Sequence, residues 1–75
     1  MEHAELATTQ RAYRAAVDEW VTAIRAEEDL APAQPTLGQF DDWEQAQYEE
    51  EEARKKARKA KKDYEDAIRR RLFGF

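Results

Sequence analysis

The sequence predicts an all-α fold, a coiled-coil-like antiparallel hairpin of two helices, on three observations. The chain has 75 residues, of which 40% are charged, and only two glycines and two prolines, a composition typical of long helices. Its apolar residues recur at steps of three and four, which is the spacing that lines one face of a helix. Both prolines lie in one short segment, residues 32–36, which divides this pattern into two parts.

The first predicted helix covers about residues 4–31. Pro32 disfavours helical geometry at the residue before it, so this helix must end near Ala31. Its apolar stripe is wider than a two-helix seam requires, which indicates contact with more than one neighbour. The larger members of the stripe are Leu6, Tyr13, Val17, Trp20, Val21 and Ile24.

The second predicted helix runs from about residue 37 to residue 73. Thr36 and Gln39 have the spacing of a capping box at its start, and Gly74 is the first residue that would end it. Alanine and tyrosine recur along it at alternating steps of four and three: Ala53, Ala57, Ala60 and Tyr64. Glutamates 50–52 lie four residues before basic residues 54–56, and such pairs stabilise an isolated helix by roughly 0.2–0.5 kcal/mol each.

A five-residue connector places the two helices antiparallel and side by side. Reflection about the connector pairs residues whose numbers sum to about 70, so large side chains of the first helix face small ones of the second. The predicted pairs are Val17 with Ala53, Tyr13 with Ala57, Gln10 with Ala60 and Leu6 with Tyr64. In this register residue 70 has no counterpart, and residues 71–75 extend beyond the start of the first helix.

Charge is segregated along the chain. Residues 18–52 carry twelve acidic residues and one arginine, a net charge of −11, and residues 53–75 carry ten basic and three acidic residues, a net charge of +7. Residues 1–17 are neutral overall, which leaves a net charge of −4. The hairpin is therefore expected to be acidic at its connector end and basic at its terminal end.

A two-helix hairpin buries one stripe on each helix and is marginally stable alone. The sequence therefore predicts that the fold is completed as a homodimeric four-helix bundle or by packing into a larger assembly. The candidate partner-binding residues are Trp20, Val21, Ile24 and Trp43, together with Ile68, Arg69, Arg70, Arg71, Leu72, Phe73 and Phe75 near the C-terminus. The C-terminal group is interpreted as a closed helix end, as a docking peptide with aromatic anchors, or as a segment that attaches to a membrane surface.

The sequence contains few residues of the types that catalyse reactions or bind metals. There is no cysteine or serine, and His3 is the only histidine, so neither a zinc site nor a di-iron site can be drawn within one chain. Glutamates 49–52 point successively around a helix, which favours a solvated charge run over an acid–base pair. We expect no enzyme activity, no cofactor and no metal. The N-terminus lacks a signal-peptide pattern and no apolar run approaches the length of a membrane span, so we expect a location in the cytoplasm or within a soluble assembly.

These features predict a small structural or adaptor subunit that acts through helix–helix contacts. It would associate with itself or with a larger assembly such as a virion, a secretion apparatus or a multi-subunit enzyme. One alternative is a regulator that contacts nucleic acid or another polyanion through the basic run at residues 54–62. Another is an inhibitor or antitoxin-like protein whose acidic end mimics a polyanion.

Overall fold

The computed structural model of the chain describes the backbone of residues 2–74 and the side chains of residues 5–74. It consists of two helices, α1 (Glu2–Asp29) and α2 (Leu37–Phe73), packed antiparallel along their length. Together they form a rod of 55 × 16 × 14 Å. The predicted fold class, an all-α helical hairpin, is confirmed.

The ends of α2 are closed as the sequence predicts. At the N-terminal end the Thr36 hydroxyl accepts a hydrogen bond from the Gln39 backbone N–H at 3.2 Å, and the Gln39 side chain accepts one from the Thr36 N–H at 3.4 Å. This reciprocal pair is a capping box. At the other end Gly74 has φ 81°, a left-handed conformation that suits glycine, and its N–H donates to the Arg70 carbonyl at 2.9 Å.

The connector is longer than predicted, because α1 ends at Asp29 and Leu30 already lies in a turn. Residues 29–33 form a shallow groove together with Gln39 and Asp42 of α2, so the connector runs beside the first turns of that helix. Two prolines restrict the backbone in this segment and prevent a tight reversal. As a result α2 begins beyond the end of α1.

This displacement shifts the register of the hairpin by about one helical turn, so the predicted pairing was wrong. Tyr13 stacks on Tyr64 with ring centroids 5.7 Å apart, whereas the sequence placed Tyr13 opposite Ala57 and Leu6 opposite Tyr64. Across the hairpin Trp20 contacts Glu50, Glu19 contacts Lys56 and Glu5 contacts Arg70. The residue numbers in these four contacts sum to 77, 70, 75 and 75, with a mean near 74.

The seam between the helices is built from small residues. Its fully buried side chains are all alanines: Ala16, Ala46, Ala57 and Ala67, each 3–5% exposed. No larger side chain of the described residues is fully buried. Six other residues of the predicted hairpin core are half-buried at the edge of the seam. They are Leu6, Tyr13, Val17, Ala53, Ala60 and Tyr64.

The C-terminal turn of α2 does not extend past α1 as the predicted register required. Arg70 makes an ion pair with Glu5 on the first turns of α1, so the two helix ends lie level with each other. Phe75 and the side chain of His3 lie outside the described residues.

Candidate interaction surface

Two ion pairs bridge the helices on one long face of the hairpin. Lys56 Nζ donates to Glu19 Oε2 at 3.0 Å, and Arg70 pairs with Glu5. In the sequence each of these residues comes immediately before a residue of the seam, as Glu19 comes before Trp20 and Lys56 before Ala57. In an antiparallel coiled coil such positions of both helices meet on the same side. We call this side the ion-paired face.

The opposite face is apolar. Val17 and Ile24 follow the seam residues Tyr13 and Trp20 by four positions, and positions of this kind meet on the side away from the ion pairs. We call this side the apolar face and define it by Val17, Val21, Ile24, Trp43, Ile68 and Leu72. Val21 and Ile24 are each 39% exposed, and Leu72 is 67% exposed. Isolated exposed aliphatic residues are common on proteins, but here Val17, Val21 and Ile24 follow one another along α1. On α2 the apolar residues of this face lie towards the two ends of the helix.

The connector half of the apolar face carries an acidic groove. Ile24 and Trp43 line it together with the carboxylates of Glu27, Glu28 and Glu50. The groove thus combines an apolar floor with a negatively charged rim. It brings two of the predicted partner-binding residues, one from each helix, into a single depression.

Trp20 hydrogen-bonds Glu50, one of the residues that line the acidic groove. Its indole Nε1 donates a hydrogen bond to Glu50 Oε2 at 2.6 Å, so the half-buried indole is oriented by a charged acceptor. Trp43 has a different environment, because its ring lies 6.1 Å from that of Phe40 in a tilted aromatic contact. Phe40 is itself 42% exposed, which extends apolar surface towards the connector.

A second groove lies at the middle of the apolar face. Tyr13, Val17 and Trp20 of α1 line it opposite Ala57, Arg58 and Lys61 of α2. Its rim is basic rather than acidic. Nearby, the half-buried Arg54 has its Nε atom buried with no hydrogen-bond acceptor among the described residues.

The C-terminal end of α2 combines exposed apolar side chains with an ionic cluster. Leu72 and Phe73 are about two-thirds exposed, and Ile68 is half-buried. Arg69 lies 3.1 Å from Asp66 and 3.6 Å from Glu65. All three arginines of this predicted partner-binding segment are exposed, and Arg69 and Arg70 make ion pairs within the chain.

The pKa of Asp66, in this ionic cluster, is lowered. Lys62 Nζ donates a hydrogen bond to Asp66 Oδ2 at 3.0 Å, and this bond lowers the pKa of Asp66 below its usual value of 3.8. Desolvation opposes the shift, while the positive charges of Lys62, Arg69 and Arg70 support it.

Much of the basic run is also engaged in ion pairs, though not with the predicted partners. Lys56 reaches Glu19 on α1 rather than Glu52, and Glu50 accepts from Trp20 rather than pairing with Arg54. Lys55 lies 3.7 Å from Glu52, at a spacing of three rather than four residues. Groups on α1 compete for the side chains of Lys56 and Glu50. The spacing of residues within α2 cannot predict these contacts, because it contains no information about α1.

Ala57, one of the predicted core residues, lies at the centre of the seam, but Ala16, Ala46 and Ala67 were not among the predicted core residues. Sequence reasoning also missed Glu50 as the acceptor for Trp20. The usable signal was the strict alternation of steps of three and four, which the less exposed positions of α1 follow: Leu6, Thr9, Tyr13, Ala16, Trp20, Ala23 and Glu27. A stripe based on large side chains alone selects Val17 for the seam, one position beyond Ala16. Val17 lies at the edge of the seam, on the apolar face, instead.

Within residues 5–74 no three side chains of the metal-binding types cluster closely enough to hold an ion. Neither helix, over its described length, combines the length and the apolar character that crossing a membrane requires. The described surface is that of a helical hairpin with one ion-paired and one apolar face. Comparison with known proteins finds no matching family model, no similar curated protein and no similar solved structure.

Proposed function

We propose that this protein is a small non-enzymatic structural or adaptor subunit that acts through helix–helix contacts made by its apolar face. The observation that carries the proposal is the difference between the two faces. One is closed by ion pairs such as Glu19 with Lys56, and the other leaves Val21, Ile24 and Leu72 exposed.

The composition of the core supports this role. A seam whose buried side chains are alanines buries little apolar area. At about 25 cal/mol per Å², this burial offsets little of the entropy that the chain loses when it is ordered. The larger apolar groups lie at the seam edge or outside it, where a further helix can cover them. Association would therefore supply burial that a single hairpin lacks.

Sedimentation equilibrium over a range of protein concentrations tests the proposal. The double variant Val21→Lys/Ile24→Lys places two charges on the apolar face and should weaken association while circular dichroism still shows a helical hairpin. The matched control Thr22→Lys/Ala26→Lys adds the same charge to exposed positions of the same helix on its other side. It should associate as the unmodified chain does.

Co-purification with a differently tagged copy, and with proteins of the source cell, extends this comparison to partners of other sequence. If neither self-association nor any co-purifying protein is lost in the Val21→Lys/Ile24→Lys variant, the apolar face is not the working surface. Retention in sulfate-type salts is expected for contacts driven by apolar burial. Binding to phosphates by the basic run would instead weaken steeply with ionic strength.

A further inference from the structure

We propose that the partner covering the apolar face is a second copy of this chain, packed antiparallel about a two-fold axis at the level of Arg58. In this arrangement the Ile68–Leu72 end of each copy covers the acidic groove between Ile24 and Trp43 of the other. The inference rests on the proposed function and names the partner and its orientation.

Charge complementarity selects the antiparallel orientation. The connector half of the rod, residues 18–52, has a net charge of −11, and residues 53–75 of the terminal half have a net charge of +7. Two parallel copies would place like charges side by side over the whole 55 Å length. Two antiparallel copies place each acidic groove, with Glu27 and Glu28 at its rim, beside the basic terminal half of the other copy.

The spacing of apolar groups indicates where the axis lies. Because cross-hairpin contacts have residue numbers that sum to about 74, Ile24 lies at the level of residue 50 of α2, and it shares a groove with Glu50. Ile68 lies 18 residues further along α2, or about 27 Å at 1.5 Å per residue. A two-fold axis midway, near residue 59, exchanges Ile24 and Ile68 between the copies.

The same axis also matches the middle of the face. Val17 lies at the level of residue 57 and Tyr13 at that of residue 61, one on each side of the axis, and both line the central groove. Val17 of one copy therefore meets Tyr13 of the other copy. Leu72 in turn comes to the level of Glu28, at the rim of the acidic groove. One axis thus matches apolar groups at two levels of an isologous interface, Ile24 with Ile68 and Val17 with Tyr13.

Single-cysteine variants test this geometry directly, because the chain has no cysteine of its own. Each variant is treated with a short thiol cross-linker, alone and in mixtures. Arg58→Cys lies near the axis on the apolar face and should cross-link to itself. Leu72→Cys and Glu28→Cys should give no dimer alone but should cross-link to each other when the two variants are mixed.

Lys59→Cys is the matched control, since residue 59 lies at the same level as Arg58 but on the side of the ion-paired face. It should remain uncross-linked. Self-cross-linking of Leu72→Cys would show a parallel pair, and efficient cross-linking of Lys59→Cys would show that the other face is used. Either result overturns the inference.

Failure of this inference is distinguishable from failure of the proposed function. If Val21→Lys/Ile24→Lys weakens association but Leu72→Cys cross-links to itself, the apolar face is functional and the antiparallel orientation is wrong. If the unmodified chain sediments as a monomer and no variant cross-links, a second copy is excluded. The contact function then requires a partner of different sequence that is lost in Val21→Lys/Ile24→Lys.

Discussion

Replacement of Ala16 by leucine tests whether the helices are held close by their alanines. Ala16 is 3% exposed and lies near the level of Ala57, which is also 3% exposed. Leucine adds three carbon atoms, whose transfer from water would contribute about 2 kcal/mol if the seam had room for them. A close-packed seam has no such room, and overpacking of this kind typically costs about 1–3 kcal/mol net of that gain.

The expected loss lowers Tm by about 5–20 °C, since 1 kcal/mol corresponds to about 4–8 °C for a domain of this size. Thermal unfolding followed by circular dichroism at one fixed protein concentration measures it, because association would otherwise shift Tm. Ala15→Leu is the matched control: the neighbouring residue is exposed on the same helix, so its Tm should change little. A Tm for Ala16→Leu that equals or exceeds that of Ala15→Leu would refute the close-packed seam.

Two further predictions concern polar groups beside the seam. Trp20→Phe keeps an aromatic ring but removes the donor to Glu50, so the free energy of unfolding from urea titration should fall by about 1–2 kcal/mol. Trp43→Phe, at a site with an aromatic contact instead, should cost less, and equal losses would contradict a role for the hydrogen bond. For Asp66 the lowered pKa means that the unfolded chain binds the proton more readily. Its stabilising contribution is therefore full above the ordinary pKa of 3.8 and is lost as the pH falls through the lowered value. Asp66→Asn should show a smaller loss of Tm on acidification than the unmodified chain, and identical pH profiles would contradict the assignment.

Local chemistry made several features of the fold predictable from the sequence. The positions of Pro32 and Pro35 separate the helices, and the side chains of Thr36 and Gln39 can cap only the helix that follows them. Gly74 ends α2 because it adopts φ 81° without a side-chain clash. These signals act within a few residues, so they need no knowledge of the partner helix.

The site was predictable only in part. Val21 and Ile24 were expected to contact a partner because the stripe on α1 was too wide for one neighbour, and the structure leaves both exposed on the apolar face. The acidic groove was not foreseen, because Glu27 and Glu28 of α1 meet Trp43 and Glu50 of α2 only after the register is set.

The sequence by itself determined that this protein is a helical hairpin, acidic at one end and basic at the other, since periodicity, caps and charge order are properties of the linear chain. Tertiary structure decided the register, because the path of the connector beside α2 displaces one helix along the other by about a turn. In this register Tyr13 stacks on Tyr64, and Lys56 and Arg70 have partners on α1. The register thereby decides which face is closed by ion pairs and which remains apolar, because side-chain contacts between helices depend on their relative height as well as on their sequence.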